Sequence, residues 1–437
     1  MQFKQYPNYK NSGVEWLGKV PDEWGIYPFW YLFNRKEITN KTQEQLLSVY
    51  LDRGVILHSE GGGMVHKPAD NLEKYQLVEV NDFVMNNQQA WRGSVGVSPY
   101  QGIVSPAYLI FSFNKTLCEP KFFKYFLRDK GVVDQFMIAS MSVGTIQRQV
   151  KGHLLKTIQL AIPSLIEQNT IANFLDTETT RIDNLISKQE KLITLLEEQR
   201  KSIISHAVTK GLNQNASMKD SDVQWLGEVP EHWMTPSIKH LLQIPITDGP
   251  HETPNFVDDG VPFISAEAIS KGKIDFEKKR GYITPELNEI YRKKYSPKIE
   301  DIYMVKSGAT TGKVAMVETT DEFNIWSPLA VFRCNKNKIL PKFLLAVFNS
   351  SHFYDALVLN WSYGTQQNIG MGVLSNIEIP CPPLDEQTEI IQYLDAENIK
   401  FDKLISTQSQ LIEKLKEYRS SIISHAVTGK IDVREFC

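Results

Sequence analysis

A glycine-rich segment with a lysine, SGATTGKV at residues 307–314, has the residue types that bind phosphate in nucleotide-hydrolysing proteins. A phosphate loop needs four residues between its glycines and a Ser or Thr directly after the lysine. Here three residues separate Gly308 from Gly312, and Val314 follows Lys313. The segment AWRGSVGV at residues 90–97 keeps the glycines in the first half of the chain but lacks the lysine. Both segments therefore predict tight turns that present Arg92 or Lys313, and not a nucleotide site.

Other residue patterns of catalytic or metal sites are absent from the sequence. The nine histidines form no HExxH motif, the four cysteines form no CxxC pair, and no GxSxG segment occurs. Three consecutive glycines at 61–63 lack the strand-to-helix context of a dinucleotide fingerprint and predict a loop. The sequence therefore predicts no catalytic residue, no metal site and no cofactor held by this chain.

Length and composition favour a globular protein of more than one domain. The chain has 437 residues, of which 42% are hydrophobic, and a formal net charge of −3. No apolar run is long enough to span a bilayer, and the polar start MQFKQYPNYKNSG lacks the apolar core of a signal peptide. We expect a cytoplasmic protein.

The element that must position any binding residues is a long helix predicted for residues 162–212. This stretch has no proline after Pro163 and no glycine before Gly211. Some of its apolar residues recur at heptad spacing, which predicts a seam that packs against a second long helix. The predicted seam positions are Leu175, Ile182, Leu185, Leu192, Leu196 and Ile203.

The same chain supplies that second helix. Residues 381–431 repeat residues 162–212 without a gap, are identical at about half of the positions, and contain the same SIISHAVT. Duplication at about half the chain length indicates a doubled unit. The second seam is predicted at the equivalent positions Leu394, Phe401, Leu404, Leu411, Leu415 and Ile422.

The repeat continues outside the helices. SGVEWLGKVPDEW at 12–24 recurs as SDVQWLGEVPEHW at 221–233, and in each copy a mixed region with strand-like runs follows. Two tryptophans, a glycine and a proline at fixed spacing predict a packed turn. EPKFFKYFLRDK and LPKFLLAVFNSS then match as short helices, whereas 46–76 and 248–288 show little correspondence. Two common scaffolds with unlike insertions suit a protein that reads two different targets, although drift in unimportant loops gives the same pattern.

These blocks together resemble the specificity subunit of type I restriction-modification systems. The matching features are the W-L-G-x-V-P-x-x-W segment, GTxQ, an I-x-I-P strand, L-x-E-Q and the long helix, each present twice in the same order. The resemblance implies an α/β (α+β) fold in which two target recognition domains are separated by two long antiparallel coiled-coil helices, with an internal pseudo-twofold repeat. The expected domains are recognition domain 1 at 1–160, a helix at 161–212, recognition domain 2 at 213–380 and a helix at 381–437.

The resemblance also implies the partners of the chain. A specificity subunit is not itself an enzyme: it reads a split site on double-stranded DNA and binds two methyltransferase (modification) subunits and the restriction/motor subunits. S-adenosylmethionine, ATP and magnesium are expected in those partners, and no membrane is expected. We also considered a coiled-coil scaffold whose modules bind proteins rather than DNA, and a self-contained nuclease or methylase.

Base readout is predicted for loop residues with amide, guanidinium, ammonium or hydroxyl groups, which can pair with base edges. In the first module these are Gln88, Gln89, Arg92, Thr145, Gln147 and Arg148. In the second they are His251, Lys306, Thr310, Thr311, Lys313, Thr365, Gln366, Gln367 and Asn368. Phosphate contacts are predicted for Lys278, Lys279 and Arg280.

Overall fold

A computed structural model describes residues 3–51, 53–61, 68–143, 147–270, 272–361 and 367–436, without the side chains of 141–143 and 147. The chain forms two compact units, Met1–Gln189 with Gln410–Cys437 and Glu190–Ser409. Each unit therefore contains half of each long helix. Both unit boundaries lie within the long helices, and the division into four segments stays a prediction.

The first unit contains fourteen short strands among its described residues. They are β1 (Tyr9–Asn11), β2 (Lys19–Pro21), β3 (Gly25–Pro28), β4 (Phe33–Lys36), β5 (Leu47–Tyr50), β6 (Gly54–Leu57), β7 (Gln76–Val78), β8 (Phe83–Asn86), β9 (Val95–Val97), β10 (Gly102–Val104), β11 (Tyr108–Phe113), β12 (Ser140–Val143), β13 (Gln147–Val150) and β14 (Gln159–Ile162). Its helices are α1 (Phe29–Leu32), α2 (Pro120–Phe126), α3 (Lys130–Ile138), α4 (Gly152–Leu155) and the long α5 (Leu165–Lys210), which continues into the second unit.

The second unit repeats this mixture. Its strands are β15 (Met218–Asp220), β16 (Glu228–Pro230), β17 (Thr247–Asp248), β18 (Val261–Ile264), β19 (Ile269–Ser270), β20 (Lys273–Ile274), β21 (Gly281–Ile283), β22 (Ile302–Val305), β23 (Val314–Met316), β24 (Asn324–Ile325) and β25 (Leu329–Phe332). Its helices are α6 (Pro285–Arg292), α7 (Pro341–Phe348), α8 (Ser351–Asn360), α9 (Met371–Asn376) and the long α10 (Leu384–Val427), which continues into the first unit.

An antiparallel four-stranded sheet forms the centre of each module. The strand order is β4-β11-β8-β9 in the first unit and β17-β25-β22-β23 in the second. In the first unit the register places Phe33 opposite Phe113 and Phe83 opposite Phe111, and all four rings are buried in one core cluster. Cross-strand aromatic pairs of this kind stabilise a sheet and its register. The modules are thus built on similar sheets, which position the loops at their edges.

Within each unit the two long helices run antiparallel. In the first unit Asp183 of α5 accepts from Arg419 of α10 at 2.8 Å, and in the second Arg200 of α5 pairs with Asp402 of α10. These are equivalent residues of the repeat. Each ion pair is well exposed and contributes little stability by itself. Their recurrence shows that the same helix–helix contact is made twice.

Burial along the helices follows only part of the predicted seam. Leu175, Ile182, Leu394, Phe401 and Ile422 are buried, and Leu185, Leu196, Ile203 and Leu415 are half-buried. By contrast, Leu192, Leu404 and Leu411 are 39%, 45% and 39% exposed.

The difference has a geometric cause. The helix seam consists of two rows of inward-facing residues. Residues of the second row, which include Ile186, Ile405 and Ile412, lie four positions after residues of the first row. The exposed leucines lie only three positions after residues of the first row. Because successive helical residues rotate by about 100°, a shift of one position moves a side chain to the flank of the seam. Among the described residues, no helix combines the length and the apolar character needed to cross a membrane.

Candidate nucleic-acid interface

A buried tryptophan joins each module to the start of a long helix. In the first unit the Trp24 indole donates to the Glu167 carboxylate at 3.1 Å, and in the second Trp233 donates to Glu386 at 2.9 Å. These are the second tryptophan of the W-L-G-x-V-P-x-x-W segment and the glutamate of L-x-E-Q, so two distant sequence motifs meet at one hydrogen bond. The Tyr6 hydroxyl also donates to Glu167, and burial together with this bond raises the pKa of Tyr6.

The same tryptophans pack against the end of the other long helix. Gly429 and Gly211 follow the C-termini of α10 and α5 with φ of +71° and +74°, a conformation that favours glycine. A Cβ on Gly429 would lie 3.3 Å from the Trp24 ring, and one on Gly211 would lie 3.1 Å from Trp233. Each tryptophan segment therefore connects the start of one helix with the end of the other.

A buried glutamine fastens the module's proline-initiated helix at the same place. The Gln387 amide oxygen accepts from the Leu340 N–H at 2.8 Å, and its nitrogen donates to the carbonyls of Lys338 and Pro382. In the first unit Gln168 makes the equivalent bonds to Glu119, Leu117 and Pro163. These contacts explain the duplicated E-Q pair: glutamate holds the tryptophan and glutamine holds the module.

The first module brings two predicted residues together on an aromatic ring. The guanidinium groups of Arg92 and Arg148 lie 5.7 and 5.6 Å from the centroid of the Trp91 ring. Arg92 ends the short turn Ala90–Arg92, whereas Arg148 comes from β13, and Gly93 closes the turn with φ of +94°. Among the described residues of this unit no carboxylate forms an ion pair with either guanidinium, so both keep their charge available to an anion. Sequence reasoning missed Trp91, although its position beside Arg92 in a polar turn was a usable signal.

The other residues predicted in this module have mixed positions. Gln88 is exposed and Gln89 is half-buried next to Trp91. The backbone carbonyl of Gln88 accepts from the Trp91 indole at 3.0 Å, which orients the ring. Thr145 and the side chain of Gln147 lie outside the described residues.

In the second module the turn predicted at 307–313 meets the segment that begins at Gln367. The Gly308 N–H donates to the Gln367 carbonyl at 3.0 Å, and Ser307 bridges to Asn368. Lys313, Gln367 and Asn368 are exposed and Thr310 is half-buried. Thr311 is buried and its hydroxyl donates to the Gly308 carbonyl, so its side chain supports the turn instead of presenting a polar group to a ligand. Thr365 and Gln366 lie outside the described residues.

The basic cluster predicted to contact phosphate is largely neutralised by acidic neighbours. Lys278 pairs with Asp275 at 3.0 Å, and Arg280 pairs with Glu267 at 2.9 Å. The Arg280 guanidinium also lies over the Trp326 ring, and the Lys279 ammonium lies 5.0 Å from the Tyr282 ring centroid. The structure thus leaves less unpaired positive charge here than the sequence alone indicates.

A buried carboxylate gathers three basic side chains nearby. Asp248, only 1% exposed, lies 2.6 Å from the Lys294 ammonium, 3.0 Å from Lys306 and 3.2 Å from His251 Nε2. Lys294 also donates to the Gly249 carbonyl. Lys306 and His251 were predicted site residues, whereas Asp248 and Lys294 were missed. No local sequence signal links Asp248 to Lys294, because the contact depends on the packing of the residues that follow α6 against Asp248 and Gly249.

Comparison with known proteins shows which proteins this chain resembles. Residues 230–417 match the family model for the type I restriction modification DNA specificity domain. The type I restriction enzyme MjaVIII specificity subunit of Methanocaldococcus jannaschii is 26% identical, and the match covers 99% of this chain and 98% of that protein. The EcoKI specificity subunit of Escherichia coli K12 is 21% identical, over 95% and 90% of the two chains.

Solved structures show the same fold. One similar chain comes from a structural study of complex assembly and conformational transition in the type I R-M system. Its TM-score is 0.66 at 17% identity, and the match covers 93% of this chain and 98% of that chain. The HsdS subunit of Thermoanaerobacter tengcongensis has a TM-score of 0.52 at 16% identity, covering 94% and 98%.

Residues 230–417 thus match a DNA specificity domain, and the chain is similar over almost its whole length to specificity subunits of type I restriction enzymes. The resemblance and the fold predicted from the sequence are confirmed by these matches. In these systems the specificity subunit is the non-catalytic member.

Proposed function

We propose that this chain reads a bipartite sequence in double-stranded DNA, with residues 1–160 reading one half-site and residues 213–380 the other. The observation that supports this most directly is the duplication of the scaffold without duplication of the candidate contacts. The Trp–Glu and Gln contacts recur in both units. The stack on Trp91 in one module and the Asp248 cluster in the other have no counterparts among the described residues of the opposite module.

In the first module Arg92 and Arg148 are proposed to read base edges. An arginine can bond bidentately to O6 and N7 of guanine, which is the commonest specific contact in the major groove. The flat face of Trp91 restricts both guanidinium groups before DNA arrives, so less side-chain entropy is lost on binding. In the second module Lys313, Gln367 and Asn368 are exposed on two segments that are hydrogen-bonded to each other, which supports their reading the same half-site.

Two methyltransferase subunits are proposed to bind the long helices at equivalent places. Leu192 and Leu411 occupy the same position in the two copies, and each is 39% exposed beside the helix seam. Exposed apolar residues that recur in an internal repeat suit two identical partners. Restriction/motor subunits complete the proposed assembly, in which S-adenosylmethionine, ATP and magnesium are bound by the partners.

The test uses the chain assembled with its methyltransferase subunits. Sites of adenine methylation are mapped by sequencing genomic DNA from cells that carry the wild type, Arg92→Ala or Gln367→Ala. We expect a bipartite site for the wild type, with Arg92→Ala altering one half of that site and Gln367→Ala altering the other. Assembly measured by size exclusion should be unchanged in both variants.

Two outcomes would contradict the proposal. Wild-type methylation without any sequence preference would favour modules that bind proteins instead of DNA. Loss of methyltransferase binding in either variant would show that these residues belong to a subunit interface and not to a DNA-reading surface.

A further inference from the structure

We propose that Asp248, Lys294, Lys306 and His251 form a binding site for a DNA backbone phosphate in the second module. This inference rests on the proposed function and assigns one class of contact within it. The site is distinct from the 278–280 cluster, where the sequence had predicted the phosphate contacts.

The first argument is local charge. Lys278 and Arg280 each face a carboxylate, and Arg292 faces both Glu289 and Glu322. At the Asp248 site a single carboxylate faces two ammonium groups and an imidazole. The site therefore has an excess of at least one positive charge, whereas Lys278 and Arg280 are each balanced by one carboxylate and Arg292 faces two. An anion gains most where the positive charge is uncompensated.

The second argument is fixed geometry. Burial raises the pKa of the Asp248 carboxyl, but the hydrogen bonds from Lys294 and Lys306 outweigh burial and leave that pKa below its usual value. Asp248 is therefore charged at neutral pH and holds the ammonium groups in place. The Lys294 side chain is 49% exposed and His251 69%, whereas Lys306 is 13% exposed. Asp248 thus acts as a positioning residue, with Lys294 and His251 in reach of a ligand.

The third argument is the kind of donor. Lysine presents a compact charge without the planar fork that matches a base edge, so it suits a phosphate oxygen better than base readout. Contacts to phosphate set the register of a protein on the duplex and carry no sequence information themselves.

The position in the fold fits that task. The backbone of Lys306 donates to the Pro328 carbonyl and accepts from the Ile369 N–H. Lys306 directly precedes the 307–313 turn, and Ile369 directly follows Gln367 and Asn368. A phosphate held at the Asp248 site would therefore set the distance from the DNA backbone to the segments proposed to read bases.

The experiment measures DNA affinity of the chain in complex with its methyltransferase subunits, for target and non-target duplexes, between about 50 and 200 mM salt. Lys294→Gln is expected to lower the affinity for both duplexes by about tenfold at low salt, because a charge-assisted contact with the DNA is lost. The slope of log affinity against log salt should become shallower by about 0.9. The preference for target over non-target DNA should be unchanged.

Two variants serve as controls. Arg292→Gln makes the same charge change two residues before Lys294, at the end of α6, but its guanidinium is already paired with two carboxylates, so we expect the wild-type slope. Lys294→Arg keeps the charge and should restore most of the affinity. Because Lys294→Gln also removes one of the two ammonium partners of the buried Asp248, thermal unfolding of each variant is measured and affinities are compared at a temperature at which every variant is folded.

Failure of this inference differs from failure of the proposed function. A wild-type complex that prefers its target, with a Lys294→Gln variant of unchanged affinity and slope, would overturn the phosphate site alone. An equal loss in Arg292→Gln would also overturn it, because the effect would then follow overall charge. A wild-type complex without any preference for target DNA would overturn the proposed function.

Discussion

Replacing the buried glutamine of the second unit tests how a module is attached to its helix. Gln387 is fully buried and makes three hydrogen bonds, with Leu340, Lys338 and Pro382. Gln387→Leu has a similar side-chain volume but removes all three bonds. The substitution therefore leaves the Leu340 N–H and the carbonyls of Lys338 and Pro382 without the hydrogen bonds that the Gln387 amide makes to them.

The expected size of the effect follows from these contacts. Leaving a buried polar group unsatisfied costs about 1–3 kcal/mol, and leucine burial returns about 2 kcal/mol at most. For three groups the cost is about 3–9 kcal/mol, and after about 2 kcal/mol is returned we expect the free energy of unfolding of the second unit to fall by about 1–7 kcal/mol. That is a large part of the roughly 5–15 kcal/mol that stabilises a domain.

Hydrogen exchange read by mass spectrometry localises the loss. Amides of α7 and of the start of α10 should exchange faster in Gln387→Leu, whereas those of α2 should not. Gln168→Leu should give the reverse pattern, with faster exchange in α2. The control is Gln392→Leu, which changes an exposed glutamine on the same helix. A loss of less than about 1 kcal/mol in Gln387→Leu would refute the conclusion that the buried amide attaches the module.

Three further perturbations test the proposed interfaces. Trp91→Leu should weaken target binding about fivefold, because the ring no longer restricts the two guanidinium groups before DNA binds and more side-chain entropy is lost on binding; wild-type affinity in a filter-binding assay would contradict this. Leu411→Glu should weaken binding of one methyltransferase subunit, measured by the stoichiometry of the purified complex, and an unchanged stoichiometry and affinity would exclude this surface. Deleting four residues from α5 removes about 6 Å of helix rise, so methylation mapping should show an altered spacer between half-sites; an unchanged spacer would refute the role of the helices as a ruler.

The duplicated architecture could be predicted from the sequence because the chain can be compared with itself. Equivalent helices, tryptophan segments and proline-initiated helices occur in the same order in both halves. Their pairing across the fold could not be predicted from local pattern. The bond from Trp24 to Glu167 joins residues 143 positions apart, and nothing near either residue indicates its partner.

The predicted helix seam was limited by a similar ambiguity. Leucines occupy both the inward and the flanking rows, so a heptad reading can choose Leu411 where the structure buries Ile412 instead. Hydrophobicity alone does not separate neighbouring rows when both contain apolar residues. The facing helix decides which row is inward.

The amino-acid sequence by itself determined the repeat, the long helices, the family resemblance and the residue types available for DNA contact, because these depend on patterns along the chain. Only the tertiary structure decided which charges remain available. It paired Lys278 and Arg280 with carboxylates, stacked Arg92 and Arg148 on one ring, and placed Lys294 beside Asp248. The physical reason is that electrostatic and stacking contacts act over a few ångströms in space, whatever the separation of the residues in sequence.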